Sequence, residues 1–225
     1  PDALVLVHKL FRAALSDGHI SDLRILKHAV HAECQAGSIS AGSELYKEAV
    51  ARMPTNSELL ASYIEFLTQN NRLSLAKDVF QNGLKHFRHS SSALGDLCAA
   101  GALTVPLEAR ISMITSALSS TPDHEGMMWR KAMTLYQLGQ WDDAMTLSQR
   151  LVDLYPKNGD AWALLCVCDP KALDNVPTGQ EAPCYGSQWR IVVENPLVVG
   201  YDGCLIETSD ILEIVMDRIR TGECT

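Results

Sequence analysis

Basic residues are in short supply in this chain. Lys and Arg number 19 against 27 Asp and Glu, giving a formal net charge of -8 and a pI near 5.3. A broad grip on nucleic acid needs clustered cations that displace counterions. No dense basic run occurs, which disfavours direct nucleic-acid binding and leaves room only for a local patch. Long apolar runs are lacking too. No stretch of about 18 apolar residues is present, so no membrane-spanning helix is expected. No signal peptide is visible. The sequence opens at Pro1 without Met, and it reads as a fragment whose parent carries any targeting signal.

Catalytic signatures are missing as well. No G-x-S-x-G elbow, phosphate-binding loop or dinucleotide fingerprint appears, and an enzyme is not expected. Asp142, Asp143 and Asp153 suit a solvated helix face. His28, His31 and Cys34 share a short stretch, but residue 34 is rotated well away from the other two on a helix. No matching Cys/His pair lies elsewhere, and Cys166 and Cys168 are spaced C-x-C rather than C-x-x-C. Neither a metal nor another cofactor is expected. The seven cysteines (Cys34, Cys98, Cys166, Cys168, Cys184, Cys204, Cys224) are odd in number and form no secreted-domain framework. They read as reduced, mostly buried thiols of an intracellular protein.

What the chain does have is a 34-residue period. Leu26, Leu60, Leu94, Met128 and Trp162 form one apolar column at that spacing. Ile39, Leu73, Leu107 and Trp141 form a second, and Val50, Leu84, Leu118 and Val152 a third. Pro54, Pro122 and Pro156 share a fourth with Arg88. Columns in phase at a period near 34 are the signature of stacked helix–turn–helix units. The fold class expected is therefore all-α: a right-handed α-α superhelix with a small β-containing C-terminal cap.

The repeats run over about 23–56, 57–90, 91–124 and 125–158, within a helical region of 1–168. Residues 2–16 carry apolar side chains at helical spacing and end at Asp17-Gly18, as a truncated earlier repeat would. Gly42, Ala76 and Ala144 share a column where the two helices of a hairpin cross closely. Arg110 breaks that column, and Pro106 is placed to shorten the second helix of repeat three. A further helix spans 160–168. Residues 169–188, rich in Pro and Gly, read as a linker or irregular arm. Residues 189–225 read as short strands around Asn195-Pro196, then a helix from Asp210 to Arg220. Such a β segment is marginal alone; it packs on the last helix, pairs with a partner strand, or joins two copies in a homodimer.

Repeat two, from Leu60-Ala61-Ser62-Tyr63-Ile64-Glu65-Phe66-Leu67 into Leu75-Ala76-Lys77-Asp78-Val79-Phe80-Gln81-Asn82-Gly83-Leu84, resembles a HAT (half-a-TPR) repeat. Repeat one is similar through Glu33, Tyr46 and Ala49. Repeat four resembles a general tetratricopeptide (TPR) repeat through Gly139, Trp141, Ala144 and Pro156. HAT proteins are mostly scaffolds of RNA-processing assemblies. The resemblance therefore implies a non-catalytic protein–protein scaffold in nuclear RNA processing, ribosome biogenesis or RNA decay, in the nucleus rather than the cytoplasm. A general TPR adaptor in trafficking or organelle assembly, and an RNA-contacting helical repeat protein, are the alternatives. Partners would be other subunits of a larger complex, with no membrane involved.

TPR grooves are lined by the second, fifth, ninth and twelfth residues of each first helix. That rule selects Lys27, His31 and Cys34 in repeat one, Glu58, Ala61, Glu65 and Thr68 in repeat two, and Gly126, Trp129, Met133 and Tyr136 in repeat four. Of these, Lys27, His31, Glu65, Trp129, Met133 and Tyr136 are the partner-binding candidates. Trp129, Met133 and Tyr136 form an i, i+4, i+7 stripe suited to anchoring a partner helix or peptide, unless neighbouring helices or the arm bury it. Of the Lys/Asn clamp that holds terminal carboxylates in chaperone-binding TPRs, only Lys27 is matched.

Overall fold

The computed structural model describes residues 9, 13, 23–35, 37–178 and 181–184. The expected N-terminal helix, apart from Lys9 and Ala13, and the whole of 189–225 lie outside the described residues. Within them the protein is all-α: nine α-helices and two short 3-10 segments, with no strand.

One series of helices is α1 (Leu23–Gln35), α3 (Ser57–Gln69), α5 (Ser91–Gly101), α7 (Glu125–Gln137) and α9 (Gly159–Cys168). Each begins 34 residues after the last. A second series, α2 (Ile39–Arg52), α4 (Leu73–His86), α6 (Leu107–Leu118) and α8 (Trp141–Leu154), keeps the same step.

Local chemistry fixes these starts. A helix leaves its first amide protons without intrahelical partners, and a side-chain acceptor just before it stabilises the end by about 1 kcal/mol. Asn56, Ser90, His124 and Asn158, again 34 apart, each accept from the amide three residues on, at 2.9, 3.4, 3.3 and 2.9 Å.

The turns inside the hairpins repeat as well. Gly37, Asn71 and Gly139 adopt positive φ of 85°, 58° and 72°. The amide after each, on Ser38, Arg72 and Gln140, donates back to the carbonyl of Glu33, Leu67 and Leu135. This is the Schellman closure, which needs a residue tolerant of the left-handed region. The corresponding position in repeat three is Val105, which is β-branched. It stays extended at φ -111°, and a 3-10 turn over Ala102–Thr104 replaces the closure. Thr104 Oγ1 donates to the Gly101 carbonyl at 2.7 Å and steadies that turn.

Pro106 does not shorten α6 at its start, because its φ of -54° suits a position ahead of a helix. The shortening is at the other end. α6 has 12 residues where α2, α4 and α8 have 14. Ser119 Oγ donates to the Ser116 carbonyl at 2.7 Å, a local bond that competes with helix continuation.

The chain divides into two compact units, Pro1–Val105 and Pro106–Thr225. In the first, α1 packs on α2, α2 on α3, α3 on α4, α4 on α5, and α3 on α5. Its core holds Leu26, Val30, Leu45, Tyr46, Leu59, Ile64, Leu67 and Leu97, all buried. Burying each such side chain stabilises by about 1.5–3 kcal/mol. Tyr46 stacks on Tyr63 with ring centroids 5.2 Å apart and meets Phe66 at the same distance. Gly42 permits this packing: a Cβ there would come within 3.2 Å of both Phe66 and Val30.

In the second unit, α6 packs on α7, α7 on α8, and α8 on α9. Met128, Trp129, Ala132, Leu151, Trp162, Leu164 and Leu165 form its core. The chain after α9 joins that core. Pro170–Asn175 form a 3-10 segment capped by Asp169, and Ala172 and Val176 are buried in the same cluster. Farther on, Cys184 lies parallel to Asn158. Its amide donates to the Lys157 carbonyl, and its carbonyl accepts from the first amide of α9, on Gly159, both at 2.8 Å.

Candidate partner-binding surfaces

The residues picked out by the groove rule fall into two environments. Lys27 and His31 are exposed on α1, and Glu65 is half-buried on α3. Cys34 and Thr68 on the same faces are half-buried; Thr68 Oγ1 donates to the Ile64 carbonyl at 2.8 Å. Glu65 and Cys34 lie near the Tyr46 phenol, whose pKa is raised by burial first, then by Glu65, then by Cys34. The first unit thus offers an accessible strip of mixed charge on α1 and α3.

Trp129, Met133 and Tyr136 on α7 are 8%, 6% and 4% exposed. They share one packed cluster with Trp162, Leu165, Cys168, Ala172 and Val176. As the second unit stands, the stripe is an internal seam, and a partner reaches it only by displacing its neighbours. The Tyr136 hydroxyl finds no hydrogen-bond partner among the described residues. Burial, and then the Cys168 thiol, push its pKa up to about 12. Cys168 is itself pushed up to about 12 by burial and by Asp169. A thiol held protonated at neutral pH is a poor nucleophile, so this pair acts as core.

Two open recesses among the described residues bear on partner binding. One, of about 180 Å³, lies between the start of α2, the end of α3 and the start of α4. Phe66, Leu67, Ile39 and Leu75 line it with Ser40, Ser43, Glu44, Lys47 and Arg72. The other, of about 550 Å³, lies where Cys184 meets the α8–α9 turn, with Glu125, Leu154, Tyr155 and Lys157 among its walls. There Asn158 Nδ2 donates to Glu125 Oε1 at 2.8 Å, and Tyr155 Oη donates to the Asp123 carbonyl. Lys157 faces Glu181 at 3.7 Å.

Sequence reading passed over the smaller recess. Its signal was the column Ile39–Leu73, large apolar residues at the first position of a helix. The column was read only as part of the period, and Ile39 is 38% and Leu73 44% exposed. Among the described residues, no group of three His, Cys, Asp or Glu side chains could hold a metal ion, and no helix is long and apolar enough to cross a membrane. No protein-family model matches the sequence, and no curated protein matches it significantly.

Proposed function

We propose that this chain is a non-catalytic interaction scaffold: a right-handed superhelix of HAT/TPR-like hairpins that holds subunits of a nuclear RNA-processing, ribosome-biogenesis or RNA-decay assembly. The observation that carries the scaffold reading is the shared register of helices, caps and turns at 34 residues. Repetition of one hairpin yields extended surface rather than a closed pocket, and such surface suits protein partners. The packing of α3 on α5 between successive hairpins supports stacking in the first unit. The nuclear assignment rests on the resemblance of repeats one and two to HAT units. Lys27, His31 and Glu65 form the accessible part of the proposed groove.

The test is affinity purification of the chain from cell extract, with and without nuclease, followed by mass spectrometry. Nuclease-resistant recovery of RNA-processing subunits supports the full reading. Recovery of trafficking or chaperone proteins instead overturns the nuclear assignment. Loss of all partners on nuclease treatment favours an RNA-contacting repeat.

A further inference from the structure

We infer that the recess between α2 and α4 is a docking cleft for a short peptide segment that inserts an apolar side chain flanked by carboxylates. The inference rests on the scaffold reading, though not on its nuclear assignment.

Three observations lead there. Five large apolar side chains are well exposed among the described residues, and two of them, Ile39 and Leu75, line this cleft. Its floor is aromatic and aliphatic, through Phe66 and Leu67, both fixed in the core of the first unit. One wall is tethered, because Ser43 Oγ and Tyr63 Oη hydrogen-bond at 3.1 Å. At about 180 Å³ the cleft is below the roughly 300–1,000 Å³ of small-molecule sites. It is of a size to take one or two anchoring side chains, the usual centre of a peptide interface.

The rim selects the charge of the partner. Arg72 is exposed at the mouth and makes no side-chain hydrogen bond or ion pair among the described residues. Lys47 is held by Glu44 at 2.7 Å, an exposed pair within one helix that contributes little and rearranges readily. The charged lining (Glu44, Lys47, Arg72) therefore sums to one positive charge on a chain whose net charge is -8. A carboxylate beside an apolar anchor finds the planar, multi-donor Arg72 guanidinium in reach. A basic segment finds only the Glu44 carboxylate, which Lys47 already engages.

The test is amide-resolved NMR of the full 225-residue chain titrated with the acetylated peptide Asp-Glu-Leu-Phe-Asp-Glu. Lys-Lys-Leu-Phe-Lys-Lys and Asp-Glu-Ser-Ser-Asp-Glu serve as controls. Expected are saturable shifts at Ile39, Ser40, Ser43, Arg72 and Leu75, with a Kd below about 1 mM, and no saturation by either control. Arg72→Glu should weaken binding about tenfold while Arg72→Lys, which keeps the positive charge, weakens it less. Absent or displaced shifts, equal binding of the lysine peptide, or an inert Arg72→Glu would overturn the cleft. Extract pull-downs separate the two readings. Partners recovered without peptide binding overturn the cleft alone, whereas no partner recovered at all overturns the scaffold itself.

Discussion

The edge of the Phe80 ring fills the place that a Cβ on residue 101 would need. Three ring carbons lie 2.4, 2.6 and 2.6 Å from that position, so Gly101 is required by packing at the end of α5. Gly101→Ala should destabilise the first unit by about 1–3 kcal/mol. Phe80→Leu in the same chain should recover part of that loss. Urea melts of the two single variants and the double variant measure the coupling.

The hairpin turns depend on left-handed residues, and this gives a second expectation. Gly139→Val places a β-branched side chain at φ +72° and should cost about 1–2 kcal/mol. Asn71→Gly, at φ +58°, should leave stability within about 1 kcal/mol of the parent. Thermal unfolding followed by circular dichroism distinguishes the two.

Ser148 is fully buried, and its hydroxyl has no partner among the described residues. Its counterparts 34 residues apart in the earlier repeats are Tyr46, Phe80 and Ile114. Removing an unsatisfied buried hydroxyl recovers its desolvation cost. Ser148→Ala should raise stability by about 1 kcal/mol, read as a higher denaturation midpoint at unchanged slope. A lower midpoint would mean the hydroxyl is bonded after all.

The raised thiol of Cys168 sets a pH dependence. Its folded pKa, about 12, stands above its ordinary value of 9.0. Above pH 9 the unfolded chain releases this proton and the folded chain keeps it, so stability falls as pH rises. The contribution is complete below pH 9 and is lost progressively toward pH 12, at up to about 1.4 kcal/mol per pH unit. Cys168→Ala should flatten the urea midpoint between pH 9 and 10.5. At neutral pH Cys168 should resist thiol reagents in the folded chain.

Trp129→Ala should cost about 3–5 kcal/mol through the cavity left in the second unit. A partner lost in that variant would therefore report unfolding. Lys27→Glu and His31→Glu, on exposed positions of α1, should leave the melting temperature nearly unchanged, so any partner they lose reports the surface.

Helical character, the 34-residue register and the core columns at Leu26, Met128 and Trp162 were legible because they follow from local periodicity. So was the close crossing at Gly42. What periodicity could not supply is what covers a face. It placed Trp129, Met133 and Tyr136 on one side of a helix, but Val176 and Leu165 share their cluster only through the chain that follows. The residues 169–188 read as a linker because Pro and Gly recur in them, yet Ala172 and Val176 carry the apolar spacing that buries a short 3-10 segment. Val105 was readable in principle: a β-branched residue where its counterparts are Gly or Asn precludes the same turn. The contact between Phe80 and Gly101 had no sequence signal beyond a small residue opposite a large one.

The shared register of caps and turns makes length the protected quantity of this chain. Losing a single residue inside α3 or α4 would turn the side chains beyond it by about 100° and take their apolar face off the core. Losing a block of 34 would keep every apolar column in phase. The chain therefore tolerates change in quanta, and a related sequence that grew or shrank by whole hairpins would keep the same local grammar while altering how much surface it can present.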